Sequence, residues 1–84
     1  MSQQSTASIE DRVYMVICNQ VCALRQDVTR ETRLADDLGA DSLDKVEIAM
    51  EMEDEFEICI SDQDAAEQAT IGNWIDYVKQ QVGS

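Results

Sequence analysis

Three kinds of side chain in this 84-residue sequence could take part in chemistry: one serine at the head of a helix, three thiols, and a dense run of carboxylates. The serine is Ser42, in Asp36-Asp37-Leu38-Gly39-Ala40-Asp41-Ser42-Leu43-Asp44. Ser and Asp just before a helix are ordinary caps, so capping is one reading of Ser42. Nucleophilic catalysis is poorly supported, because the chain has no His and no Lys placed as an activating base. If this hydroxyl is modified, a separate enzyme must supply the chemistry. A phosphate attached there would meet the backbone N–H groups and positive dipole end of the helix. Asp41 and Asp44 would oppose it electrostatically, so these acids are better explained as features that an outside catalyst reads.

The thiols do not form a framework. Cys18, Cys22 and Cys59 are odd in number and irregular in spacing. Cys18 and Cys22 can share one helix face, but a disulfide within a helix is geometrically poor. A metal site would lack a fourth ligand without His. The expectation is reduced thiols in a cytosol-like compartment and no metal. The 12-residue windows opening at Asp36 and Asp62 lack the sixth-position Gly, and the second ends in Asn73 instead of Glu, which argues against calcium loops. No catalytic set emerges, so a binding or carrier module is expected, not an enzyme.

Charge sharpens this. Eighteen acids against six bases give a net charge of -12. Residues 36 to 67 hold thirteen of the acids and one base, Lys45, while the rest of the chain is neutral. A partner that reads this protein by charge must read that stretch. Phosphates would be repelled, which excludes an electrostatic nucleic-acid binder and disfavours anionic membranes. No apolar run approaches the ~20 residues that span a bilayer. The start, MSQQSTAS, lacks the features of a signal peptide. A cytoplasmic setting is expected, with an organelle matrix as the other possibility.

The elements that must hold these groups are helices. Residues 1–7 form a polar tail, and 8–84 one domain with a thin core. Ser8, with Asp11 three residues on, caps a first helix from about Ile9 to Leu24. Its apolar stripe is Ile9, Val13, Val16, Ile17 and Leu24. Tyr14, Met15, Cys18 and Cys22 fall together away from that stripe: a further partner contact, unselected surface, or a surface under the tail. A long connection over 25–41 follows, pinned by Leu34 and Leu38 and turned at Gly39.

The second helix spans Ser42 to Phe56. Ile48, Ala49, Met52 and Phe56 make its core face. Leu43, Val46 and Met50 form a second ridge, roughly opposite, flanked by Glu47, Glu51, Glu53, Asp54 and Glu57. An apolar ridge between acidic margins suits protein docking. Packing under the long loop is the other reading of Leu43, Val46 and Met50; for Leu43 it is an equal one, and for Val46 and Met50 partner contact is favoured. Ser61 and Asp64 cap a short helix over 62–68. Thr70 opens the last, with Ile71, Trp74, Ile75, Val78 and Val82 in register, ending near Gly83. The fold class is all-α: a four-helix bundle of three longer helices and one short, with a long first loop.

The stretch DLGADSLDKVEIAMEMEDEF closely resembles acyl carrier proteins of the dissociated (type II) fatty-acid-synthase kind. The likeness extends from Ser8-Ile9-Glu10 through Ile75-Asp76-Tyr77. It implies 4'-phosphopantetheine attached covalently to Ser42. It also implies that Asp41, Leu43, Asp44, Val46, Glu47, Met50, Glu53 and Asp54 lie on the surface that partners read. Those partners are acyl-processing enzymes with basic patches and the phosphopantetheinyl transferase. The implied role is a monomeric carrier of acyl thioesters in fatty-acid or related lipid or polyketide synthesis. The acyl chain would fold back among Ile48, Met52, Phe56, Ile60, Ile71 and Ile75, for which plain core packing is an equal reading. Five positions depart from the commonest pattern, among them Tyr14 and Met15, which stand in the first helix where polar or basic residues are common. Ser61 stands where Ile-Pro is usual. Gln68 sits where an apolar residue is usual, so it points outward or limits the cargo. Lys45 interrupts the acidic run. The competing function is an acidic interaction or regulatory module that uses the same ridge without a prosthetic group.

Overall fold

A computed structural model describes residues 8–83, and the expected tail over 1–7 lies outside the described residues. The described residues form four α-helices and one 3-10 turn: α1 (Ile9–Val21), the turn Arg25–Asp27, α2 (Ser42–Phe56), α3 (Asp62–Glu67) and α4 (Ile71–Gln81). α1 packs on both α2 and α4, and α3 lies against α2. Each α-helix opens on a side-chain cap: Ser8, Asp41, Ser61 and Thr70 each accept from the backbone N–H three residues on.

α1 stops earlier than its apolar spacing suggests. Cys22 takes a left-handed φ of 59° and its N–H donates to Cys18 O, closing the helix at Val21. Leu24 therefore leaves the core stripe and is 61% exposed. The expected surface face of α1 is also corrected. Tyr14 and Cys18 are buried core residues, whereas Met15 and Cys22 are exposed. The 3-10 turn covers Tyr14: the Arg25 guanidinium lies 3.5 Å from the centroid of its ring.

The fully buried centre of the core holds Val13, Ile17, Leu34, Ile48, Met52, Ile71, Trp74, Ile75 and Val78. The long connection is stitched onto the head of α4. Ile71 N–H donates to Thr32 O (3.1 Å), Gly72 N–H to Arg30 O (2.9 Å), and Leu34 N–H to Ala69 O (3.0 Å). Two of the orphan donors of α4 are satisfied this way. The approach needs Gly72: a Cβ there would stand 3.0 Å from Arg30 O. Arg30 Nη2 also donates to both carboxylate oxygens of Asp76, at 3.1 Å each.

Burial raises the pKa of the Cys18 thiol and of the Tyr14 phenol, with Arg25 pulling both back. The folded state therefore holds these protons more tightly than the unfolded chain. Their contribution to stability is complete below the unfolded values and is lost as pH rises through the folded ones. Urea unfolding across the alkaline range should show stability falling, with a shallower fall in Cys18→Ala. In the same buffers a thiol reagent should modify Cys22 and Cys59 fast and Cys18 at the rate of opening.

Candidate functional site

The head of α2 is built by backbone and carboxylates, and Ser42 takes no part. Gly39, at φ 70°, turns the chain, and Ala40 N–H donates to Leu34 O at 2.8 Å. Asp41 is then the N-cap. Its Oδ1 accepts from Asp44 N–H at 2.9 Å, and its own N–H donates to Asp44 Oδ2 at 3.2 Å. This is a complete capping box, made of two aspartates. The capping reading of Ser42 is thus corrected: Ser42 is the first helical residue. Its side chain is exposed, and among the described residues its hydroxyl has no hydrogen-bond partner. The N–H groups of Ser42 and Leu43 are likewise unpaired among the described residues. An accessible hydroxyl beside two free donors at a helix N-terminus fits a phosphate ester. Asp41 and Asp44 have a structural task there as well as being open to an outside reader.

The second ridge of α2 faces solvent. Leu43 is 64% exposed, Val46 42% and Met50 60%. The reading that tucks Leu43 under the long loop is overturned. The acids around the ridge are not equivalent. Glu47 accepts from the Gln20 side-chain amide of α1. Glu53 is half-buried and its carboxylate accepts from Ile60 N–H at 2.7 Å, tying the end of α2 to the segment before α3. Asp54 is exposed with no partner among the described residues. These tertiary engagements of Glu47 and Glu53 had no signal in the sequence.

Of the interior candidates, Ile48, Met52, Ile71 and Ile75 are fully buried, Ile60 is buried, and Phe56 is half-buried beneath the Arg12 guanidinium (4.6 Å). They sit together in the core. A depression along the α1–α2 groove and another between α1 and the 3-10 turn are lined by other residues. Gln68 caps α3 and folds its amide onto Asp64 O at 2.8 Å, so it is satisfied while half-buried. Asp64 also accepts from the Tyr77 hydroxyl at 3.0 Å. Burial, then this bond, raises the Tyr77 pKa. Among the described residues no cluster could hold a metal ion, and no helix is long and apolar enough to cross a membrane.

The sequence matches the family model described as "Phosphopantetheine attachment site" over residues 11–78. It is 43% identical over 72 residues to the acyl carrier protein of Chlorobium phaeovibrioides (strain DSM 265 / 1930), covering 86% of this chain and 92% of that protein. The acyl carrier protein of Chlorobium luteolum (strain DSM 273 / BCRC 81028 / 2530) matches to the same extent. An all-helical bundle agrees with both findings, and the chain belongs to the acyl carrier proteins, which bear a covalently attached 4'-phosphopantetheine.

Proposed function

We propose that Ser42 Oγ is the attachment point, and that the protein shuttles acyl chains between enzymes of fatty-acid or related lipid or polyketide synthesis without catalysing any step itself. When attached, the group supplies a thiol that holds an acyl chain as a thioester. The observation that carries this is the division of labour at the helix head. Two aspartates form the capping box, which leaves the hydroxyl of Ser42 accessible and without a partner among the described residues.

The remaining residues fit the role. Leu43, Val46 and Met50 offer an exposed apolar strip, with Asp54 and the capping aspartates around it. Basic enzymes, among them the phosphopantetheinyl transferase, would dock there through screened charge contacts that release as readily as they form. A tether makes delivery effectively intramolecular. An acyl chain would part the core side chains Ile48, Met52, Phe56, Ile60, Ile71 and Ile75. The working form is a monomer in a cytoplasmic or organelle-matrix setting.

Incubation with coenzyme A and a broad-specificity phosphopantetheinyl transferase should add one phosphopantetheine by intact mass. Peptide mapping should place it on Ser42. No adduct would favour the competing module, an acidic interaction protein that uses the same strip.

A further inference from the structure

Lys45 is the one base in the acidic stretch over 36–67, and it stands three residues beyond Ser42 on α2. Residues at this spacing are neighbours on a helix surface, with Cβ atoms about 5–6 Å apart. Helical side chains also lean toward the N-terminus, so the stem of Lys45 runs back toward the level of Ser42. Lys45 is half-buried, unlike the exposed Lys79, the other lysine of the chain. Among the described residues its ammonium makes no ion pair. The two carboxylates nearest to it in the chain, Asp41 and Asp44, are each turned to the other's backbone N–H.

Ser42 lies on the border between two faces of α2. At about 100° per residue, Leu43, Val46 and Met50 fall on one side of it, within about 100°. Ile48, Ala49, Met52 and Phe56 fall on the other, within about 120°, and Lys45 falls among them at about 60°. The first side is exposed, whereas Ile48, Ala49 and Met52 on the second are buried. Lys45 therefore stands at the head of the core-facing side, one turn from the serine.

We infer that the Lys45 ammonium holds the phosphodiester that joins the arm to Ser42, and so sets the root of the arm on the core-facing side of α2, clear of the apolar strip. The inference rests on the attachment to Ser42 proposed above and adds a positioning residue to it. A phosphodiester on Ser42 is an anion beside two carboxylates, Asp41 and Asp44, which repel it. The unpaired N–H groups of Ser42 and Leu43 offer it neutral donors. Lys45 is the cation of the stretch that offsets the two acids. A lysine ammonium binds phosphate as a compact point charge with three donors, without the fixed fork that an arginine needs. Its place on the helix gives the direction: it draws the phosphate away from Leu43 and Val46. The strip then stays open to a docking enzyme, while the acyl chain leaves the root on the side where the core lies.

The test compares unloaded protein with protein loaded from coenzyme A by a purified transferase, both as the full chain. An amine-acylating reagent followed by peptide mass mapping gives the rates at Lys45 and Lys79. Loading should slow Lys45 about three- to fivefold at low salt and leave Lys79 within about 1.5-fold. Salt at about 1 M should erase most of the protection, because screening weakens an ion pair and not steric cover by the arm. In phosphorus NMR of the loaded protein, Lys45→Gln should move the single resonance, and Lys45→Arg should move it less. Loading should leave the methyl resonances of Val46 and Met50 in place in wild type and shift them in Lys45→Gln. Thermal unfolding should show both variants folded. Equal Lys45 rates in unloaded and loaded protein, protection that survives about 1 M salt, or a phosphorus resonance unchanged in Lys45→Gln would overturn the contact and leave the carrier reading intact. Strip resonances that respond to loading equally in wild type and Lys45→Gln would overturn the positioning role. Wild-type protein that takes no adduct would overturn both readings.

Discussion

Ser42→Ala is expected to abolish loading while leaving the fold untouched, and Asp41→Ala to weaken the fold while still accepting the group. The two adjacent residues separate because their side chains do different work. Asp41 holds Asp44 N–H, and its own N–H is held by Asp44. Removing that carboxylate leaves a helix donor without its partner, at a cost of about 1 kcal/mol. Ser42 makes no such bond among the described residues and is exposed. Its replacement by Ala, a better helix former, should change stability by less than about 0.5 kcal/mol. Urea unfolding and intact mass after incubation with coenzyme A and transferase measure both sides. An adduct on Ser42→Ala would move the attachment elsewhere. A loss above about 1 kcal/mol in that variant would return Ser42 to the role of a cap.

What the sequence revealed about this region, and what it hid, follows from the range of the forces involved. The span of α2 was legible because its cap, first turn and apolar spacing are all local. The ridge of Leu43, Val46 and Met50 was legible because a thin core can cover only one face of a helix. Which of Asp41 and Ser42 caps was not legible, since either residue type serves. The end of α1 was missed because Cys22 takes a left-handed φ that cysteine composition does not announce. Tyr14 and Cys18 were placed on the surface because a helical wheel assumes one buried stripe. α1 is in fact covered on further sides by α4 and by the 3-10 turn. The path of that turn has no period to read. The sequence shows Glu47 and Glu53 only as acids flanking the ridge, because their partners, Gln20 and the Ile60 backbone, are fixed only by tertiary packing. Gln68 followed the same rule: its acceptor is a backbone carbonyl one turn back, invisible in composition.

Trp74→Ala should unfold most of the protein at low salt and room temperature, and Trp74→Phe should not. Trp74 is fully buried on α4 among Ile71, Ile75 and Val78, and meets Tyr77 edge to face at 5.9 Å. Truncating such a residue costs about 3–5 kcal/mol, from lost transfer energy and the cavity left behind. A domain of this length is expected to hold about 4–13 kcal/mol in total. A net charge of -12, concentrated in 32 residues, pushes it toward the low end through self-repulsion. Phenylalanine keeps a ring against Tyr77. It also removes an indole Nε1–H that is buried without a partner among the described residues, a group whose desolvation costs about 1–3 kcal/mol. The loss in Trp74→Phe should therefore be under about 2 kcal/mol, below that of an ordinary large-to-small change. Far-ultraviolet circular dichroism with urea titration distinguishes the two variants. Added salt screens the repulsion and should return part of the helical signal to Trp74→Ala. A cooperative Trp74→Ala transition within about 1 kcal/mol of wild type would mean that the ring is not the centre of the core, and that the bundle is held by the stitching of its long loop instead.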